Sequence, residues 1–411
     1  MSQLEKNMNE KKKKILFVIS SFKAGGAEKA MVSQLQCFDT NRYDIYAYII
    51  NDVGLFKPLF PSFVKSLPIS DEIKAICSPI NDISFFVKHP ILFFKKIIRS
   101  FIAKKYPGGL AFAQKQWDLW KNDIPSIDGD YDIAVGHQQG LPNYMVVDKV
   151  HAKYKNLWIH TLYSKRKFNF NYDASYYAKS TSIITISDIC KQDLEFCIPS
   201  QKDKYVVLPN IVNDRLIRQL SEEQVEEDFF LRGKKTIVTV GRLAYPKGID
   251  RAVKTAKILS EKGIDFLWIV IGEGPMREEL QQLIDSYQLQ DSFKMVGLRN
   301  NPYKYIAKAD IAVQPSEYEG KSIFADESKI LNKVFVSTNY ETIYDQITDG
   351  VNGIITEKDP LCLAEGIIRG LTDATLRESL MMHLSREKLG NTEMIIHYYE
   401  IYEGQLQNLY K

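Results

Sequence analysis

The sequence predicts an α/β protein made of two doubly wound parallel-sheet domains. Three observations carry this. The chain has 411 residues, more than one core usually serves, so two domains of roughly 200 residues are the default. Short apolar runs such as residues 14–20 and 266–271 read as strands buried on both faces. Several of these runs end in small-residue turns that open helices, the strand–turn–helix geometry that offers backbone N–H groups to a phosphate.

The totals narrow the function classes. The apolar fraction of 45% is that of a globular protein. A net charge of +3 gives no global support for nucleic-acid binding. Cysteines 37, 77, 190, 197 and 362 form no C-x-x-C pair, which argues against a zinc site or a disulfide framework and for a reducing cytoplasm. The opening stretch is polar and then basic, and residues 15–19 are too short for a signal-peptide core. No window reaches the roughly 18 apolar residues of a membrane span. The expectation is a cytoplasmic protein.

In the first half, residues 1–13 read as a disordered tail and 14–20 as a strand. The run 21–29, SFKAGGAEK, leads into a helix ending near Phe38. Gly25 and Gly26 permit either a tight turn or close approach of the backbone to a ligand; the dinucleotide spacing G-x-G-x-x-G is absent. Residues 43–50 are a second strand, and 55–125 read as irregular, aromatic and basic. Asp128-Gly129-Asp130, a common turn pattern, precedes a strand at 131–135 that ends at Gly136-His137. A strand at 156–159 ends at His160-Thr161. Strand C-termini in parallel sheets face the ligand crevice, so each His is either a ligand contact or a polar loop residue. Strands at 181–186 and 205–208 follow, and then Pro209 to Asn213 and a charged connection at 221–228.

The second half alternates strand and helix more cleanly. A strand at 236–240 ends in Gly241-Arg242-Leu243, and Lys247-Gly248 opens a helix. Such cations suit a leaving group that develops negative charge. A strand at 266–271 runs into Gly272-Glu273-Gly274-Pro275, and 293–296 is another, with Gly297 at its end. The strand at 310–313 leads into residues 314–328, QPSEYEGKSIFADES, with a helix expected from Ser322 to Leu331. Glu319 precedes that helix, and Glu327 lies about two turns into it. A carboxylate there can accept paired hydroxyls such as a ribose's, or sit on a solvated face. Gly320-Lys321-Ser322 is no Walker motif, because Pro315 stands where the first Gly is needed. A strand at 334–336, a tight turn at Asp349-Gly350-Val351-Asn352-Gly353 and a last helix near 392–410 complete the chain.

Together these residues resemble retaining glycosyltransferases of family 4, which have the GT-B fold of two Rossmann-like domains facing a cleft. Glu319 and Glu327 match the family's Glu, seven residues, Glu signature. Gly241-Arg242-Leu243 with Lys247-Gly248, Gly272-x-Gly274-Pro275 and Asp349-Gly350-x-Asn352-Gly353 match its other motifs in order. The resemblance is specific over 236–355, looser over 1–210 and absent over 55–125. Gly25-Gly26-Ala27-Glu28 resembles the loop beneath donor and acceptor. Pro209-Asn210 resembles the interdomain hinge, with Ile211 in place of Gly. The resemblance implies domains at 1–210 for the acceptor and 211–388 for the nucleotide-sugar. Residues 389–411 would pack back on the first.

Its implied roles are as follows. Arg242 and Lys247 stabilise the leaving diphosphate, assisted by the backbone of Gly320, Lys321, Ser322 and Ile323. Glu319 orients the donor sugar, Glu327 binds the ribose, and His137 lies on the sugar face. His160 contacts sugar or acceptor. Gly25, Gly26, Gly241, Gly272 and Gly274 line the donor. Lys321-Ser322 stands where many members have Phe-Gly, and Asp326-Glu327-Ser328 where many have Glu-Ala. In metal-dependent glycosyltransferases of the other major fold, a triplet like Asp128-Gly129-Asp130 holds a cation; here no metal and no cofactor are expected.

The implied function is a hexosyltransferase acting on a nucleotide-sugar, UDP-linked, with retained anomeric configuration. Its acceptor would be a glycan, lipid-linked or protein hydroxyl in bacterial surface polysaccharide or glycoconjugate synthesis. The alternatives are a nucleotide-sugar epimerase of the same fold and a non-catalytic glycan- or nucleotide-binding partner of another transferase. Finally, Ile91, Phe94, Ile98, Phe101 and Ile102 recur at helical spacing in a basic stretch without acidic residues. Residues 91–105 are expected either to dock on an anionic membrane at the inner face of the cell or to cover the first sheet.

Overall fold

The computed structural model describes residues 11–22, 25–51, 54, 59–77, 90–105, 110–166, 169–227, 229–230 and 233–405. The chain divides into two compact units. One holds residues 1–23, 34–209 and 394–411; the other holds 24–33 and 210–393. Of the tail expected at 1–13, residues 1–10 lie outside the described residues and Lys13 already begins a strand; of the last helix expected near 392–410, residues 406–410 also lie outside them.

In the first unit the apolar runs become a seven-stranded sheet: β1 Lys13–Ser21, β2 Tyr43–Asn51, β3 Lys65–Ser66, β4 Ile127–Gly136, β5 Val150–Ile159, β6 Ser182–Thr185 and β7 Tyr205–Val207. The order is β3-β2-β1-β4-β5-β6-β7, and the pairs are parallel, with Ile15 opposite Ile133. Ile15 to Ile19 are fully buried, as a central strand covered on both faces requires. The Asp128-Gly129-Asp130 triplet lies within β4 rather than before it.

Residues 55–125 correct the reading of an irregular region, except at 91–105, where the helical spacing becomes a helix. They contain helices at Asp71–Cys77, Pro90–Lys105 and Leu110–Trp120. The last is anchored by the fully buried Trp117 and Trp120, an aromatic face that hides the helical period in composition. The helix Pro90–Lys105 buries Leu92 and Lys96, while Ile91, Phe94, Ile98 and Phe101 are exposed, Ile91 by 71% and Phe101 by 67%. Its apolar stripe therefore faces away from the first unit's core. The C-terminal helix Ile395–Tyr402 belongs to the first unit; the Tyr402 hydroxyl accepts from Gln34 Nε2 at 2.7 Å and Trp158 Nε1 at 2.9 Å.

The second unit has six strands: β8 Lys235–Val240, β9 Phe266–Ile271, β10 Phe293–Gly297, β11 Ile311–Gln314, β12 Val334–Thr338 and β13 Ile354–Thr356. Their order is β10-β9-β8-β11-β12-β13, parallel throughout, with Ile311 opposite Ile237. The helix Ile249–Glu261 lays Ile249, Ala252, Val253, Ala256 and Leu259 on this core, the 3.6-residue stripe of a sheet-covering helix. Strand order reverses between β8 and β11, so the crevice of a doubly wound sheet opens at their C-terminal ends. Among the described residues no helix is long and apolar enough to cross a membrane.

Candidate active site at the switch point of the second sheet

Two strand ends build the site. After β8 come Gly241 and the exposed Arg242. The following turn carries Lys247 and ends at Gly248, whose φ is +61°. A Cβ on Gly248 would stand 1.9 Å from the Pro315 carbonyl oxygen, so only Gly lets this turn approach the loop after β11. The two loops are tied further. Glu317 N–H donates to the Pro246 carbonyl at 2.8 Å, and Arg251 donates to the Pro315 carbonyl and to Glu317, both at 2.7 Å.

This places the Lys247 ammonium 2.6 and 2.8 Å from the two oxygens of Glu319. The carboxylate also accepts from Gln314 Nε2 at 2.8 Å and the Ser316 hydroxyl at 2.7 Å. Three donors therefore fix its orientation, while 31% of the Lys247 side chain stays open to solvent. The Gly272-Glu273-Gly274 turn sits beside them. A Cβ on Gly272 would lie 1.9 Å from the Gly241 carbonyl oxygen, so that glycine serves the packing of two strand-end turns.

The helix after Gly320 starts one residue later than expected, at Ile323–Ile330, with Ser322 as its cap: the Ser322 hydroxyl accepts from Ala325 N–H at 3.1 Å. Ser322 N–H, a candidate diphosphate donor, here donates to Gln346 Oε1 at 2.8 Å. Lys321 acts on Asp326, whose carboxyl is pushed up by burial and pulled back by Lys321 and Gln346. Glu327 is almost fully buried and ion-paired with Lys29.

The Gly-Gly turn joins this unit through residues 24–33. A Cβ on Gly26 would lie 3.6 Å from the Ile323 side chain, so the start of the helix Gly26–Gln36 abuts the start of Ile323–Ile330. The Glu28 carboxylate folds back over Gly25. Burial pushes it up to about 7, against the pull of Arg242. Sequence reasoning named the glycines, and Glu28 only as part of their loop, and missed Lys29, Gln314, Ser316 and Gln346. The adjacent charges at 28 and 29, in the first turn of a helix after Gly-Gly, were the signal available.

His137 and His160 lie in the first unit, at the ends of β4 and β5. His137 is buried, and its Nε2 meets Gln34 Oε1 at 2.9 Å. Its ring stacks on Trp158 at 5.3 Å between centroids, and Trp158 stacks on His160 at 5.0 Å. His160 Nε2 donates to the His137 carbonyl at 3.2 Å. Burial holds both imidazoles below their usual range, His160 at about 4, so both rings are neutral near pH 7. Asp130 of the triplet is exposed and meets His151 Nδ1 at 2.6 Å; among the described residues no three His, Cys, Asp or Glu side chains converge as a metal site.

Comparison with known proteins fits this geometry. Residues 221–411 match the family described as glycosyl transferases group 1. A 2-deoxystreptamine N-acetyl-D-glucosaminyltransferase of Niallia circulans is 32% identical over 37% of this chain and 40% of its own length. The chain likewise spans about two fifths (40–42%) of the first curated relatives it matches. A Campylobacter jejuni enzyme matches more broadly, at 25% identity over 89% of this chain and 92% of its own. It is named as adding N-acetylgalactosamine to an N-acetylgalactosamine-N,N'-diacetylbacillosaminyl-diphospho-undecaprenol. Among solved structures, Anabaena HepE with UDP and glucose superposes with a TM-score of 0.69 at 16% identity, over 95% of this chain and 98% of that one. On these matches and its two doubly wound units, the chain has the GT-B fold, and its residues 221–411 are similar to the group 1 glycosyltransferases.

Proposed function

We propose that this chain transfers a hexosyl unit from a UDP-linked sugar to a hydroxyl acceptor, with retention at the anomeric carbon and without a metal ion. The observation that carries the reading is the Lys247–Glu319 pair beside the exposed Arg242 at the switch point. Arg242 and Lys247 supply charge for a departing diphosphate. Glu319, held by Gln314 and Ser316, is placed to take the donor sugar's hydroxyls once Lys247 turns to phosphate. The buried Glu327 offers acceptor oxygens to a ribose, and by the same family resemblance His137 lies on the sugar face and His160 contacts sugar or acceptor. The paired cations support metal independence. Asp128 and Asp130 belong to the other unit, and Asp130 is engaged by His151.

The test is product analysis with a panel of nucleotide-sugars. Transfer with the donor's anomeric configuration kept, unaffected by excess chelator, supports the reading. Inverted product, or an epimerised donor with no transfer, sinks it.

Relatives named for capsular polysaccharide and colanic acid synthesis and the undecaprenol-linked substrate of the Campylobacter enzyme favour a lipid-linked glycan acceptor in surface polysaccharide synthesis. The exposed Ile91, Phe94, Ile98 and Phe101 stripe, in a helix with five basic and no acidic residues, suits contact with an anionic membrane. Vesicle co-sedimentation that survives in Phe94→Glu/Phe101→Glu, or is absent in the parent chain, removes that contact.

A further inference from the structure

Among the described residues of the site, Lys29, whose side chain is 17% exposed, is a cation that the reaction as described leaves without a task. It sits in the first turns of Gly26–Gln36, and its N–H donates to the Gly25 carbonyl at 3.1 Å. Its ammonium closes on the Glu327 carboxylate and stands 4.5 Å over the Tyr303 ring. The Glu327 side chain is 2% exposed. Three charged or titratable groups act on it: Lys29, Tyr303 from the helix Tyr303–Lys308, and Asp326 from its own helix. Burial pushes the Glu327 carboxyl up and Asp326 adds to this; Lys29 and Tyr303 pull it back toward the ionised form. A carboxylate so deeply buried keeps its charge only while a partner stays with it.

We propose that Lys29 is a positioning residue that holds the Glu327 carboxylate in place for the paired hydroxyls of the donor's ribose. This rests on the ribose-binding reading of Glu327. Without the ammonium, Glu327 takes up a proton, loses one acceptor oxygen, and is free to rotate. The loss falls on ribose hydroxyls and spares the diphosphate, which Arg242 and Lys247 hold.

The experiment is calorimetric binding of UDP and 2′-deoxy-UDP to the full chain, in the parent and in Lys29→Met, Lys29→Arg, Glu327→Gln and the Lys29→Met/Glu327→Gln double variant. The parent should favour UDP by about tenfold, the scale of a hydrogen bond to a charged group. Lys29→Met and Glu327→Gln should both bring the ratio near one. The double variant should bind UDP no more weakly than Glu327→Gln, and Lys29→Arg should restore most of the preference. If Lys29→Met does not fold, the double variant, which leaves no unpaired buried carboxylate, is compared with Glu327→Gln alone. If Glu327→Gln keeps the preference, the ribose reading falls and the inference with it. If Glu327→Gln loses it and Lys29→Met keeps it, only the inference falls. Further weakening in the double variant also overturns it, because Lys29 would then act without Glu327.

Discussion

Both units are wound from the middle outwards, and both present chosen side chains at central strand ends, yet the two sets differ in kind. At the ends of β4 and β5 the first unit sets His137 and His160, packed ring on ring with Trp158 and kept neutral by burial. At the ends of β8 and β11 the second unit sets Arg242, Lys247 and Glu319, charged and partly open to solvent. Strand ends in two sheets of the same winding therefore carry different electrostatics. Strand-end position nominates a residue; desolvation decides what it can do. Rings stripped of water can shape a wall and bond through one nitrogen. Half-solvated cations can exchange a carboxylate for a phosphate at little cost.

The strongest way to break the comparison is through the cations. Lys247→Ala or Arg242→Ala should lower turnover by about a hundredfold or more, the scale of one preorganised donor, with little change in melting temperature, since neither side chain fills a core. Steady-state kinetics at saturating donor, beside a melting curve, decides it. Full turnover would remove the second unit's distinction.

The histidines should respond in stability. The folded His160 titrates at about 4 against an ordinary 6.5, so the unfolded chain binds the extra proton. Stability is kept above pH 6.5 and lost as pH falls toward 4, by roughly 2 kcal/mol near pH 5 from this residue, and further from His137, which shifts the same way. Denaturant titrations across that range should show the slope, and His160→Gln should flatten it. An unchanged slope would mean that the rings are not buried neutral.

The smallest effect concerns Glu28, which titrates at about 7 beside Arg242. An arriving diphosphate disfavours its carboxylate, so donor binding takes up a proton, and affinity should weaken severalfold from about pH 6.5 to about pH 8. Glu28→Gln should bind with nearly constant affinity over that range. A parallel pH dependence in the variant would assign the proton elsewhere.

Much of this was legible in the chain itself. The runs at 266–271 and 334–336 are apolar because a central parallel strand is buried on both faces, and they become β9 and β12. The Ser322 cap follows from local chemistry, whereas the glycine at 272 answers to the Gly241 carbonyl of another strand end. The helical spacing at 91–105 was legible and becomes Pro90–Lys105, but the helices Asp71–Cys77 and Leu110–Trp120 were not: scattered Lys and aromatic residues blur the period until Trp117 and Trp120 are seen packed inside.

The sequence by itself determined the doubly wound architecture, the strand-end motifs and the charges available for a diphosphate, because strand, turn and cap preferences act over a few neighbouring residues. Only the tertiary structure decided which charges meet and which rings lose water. Lys29 finds Glu327 from the far end of the chain, the Ser322 N–H is taken by Gln346, and His137 disappears beneath Trp158. Pairing and desolvation depend on what distant segments bring to the same place, and no local pattern records that.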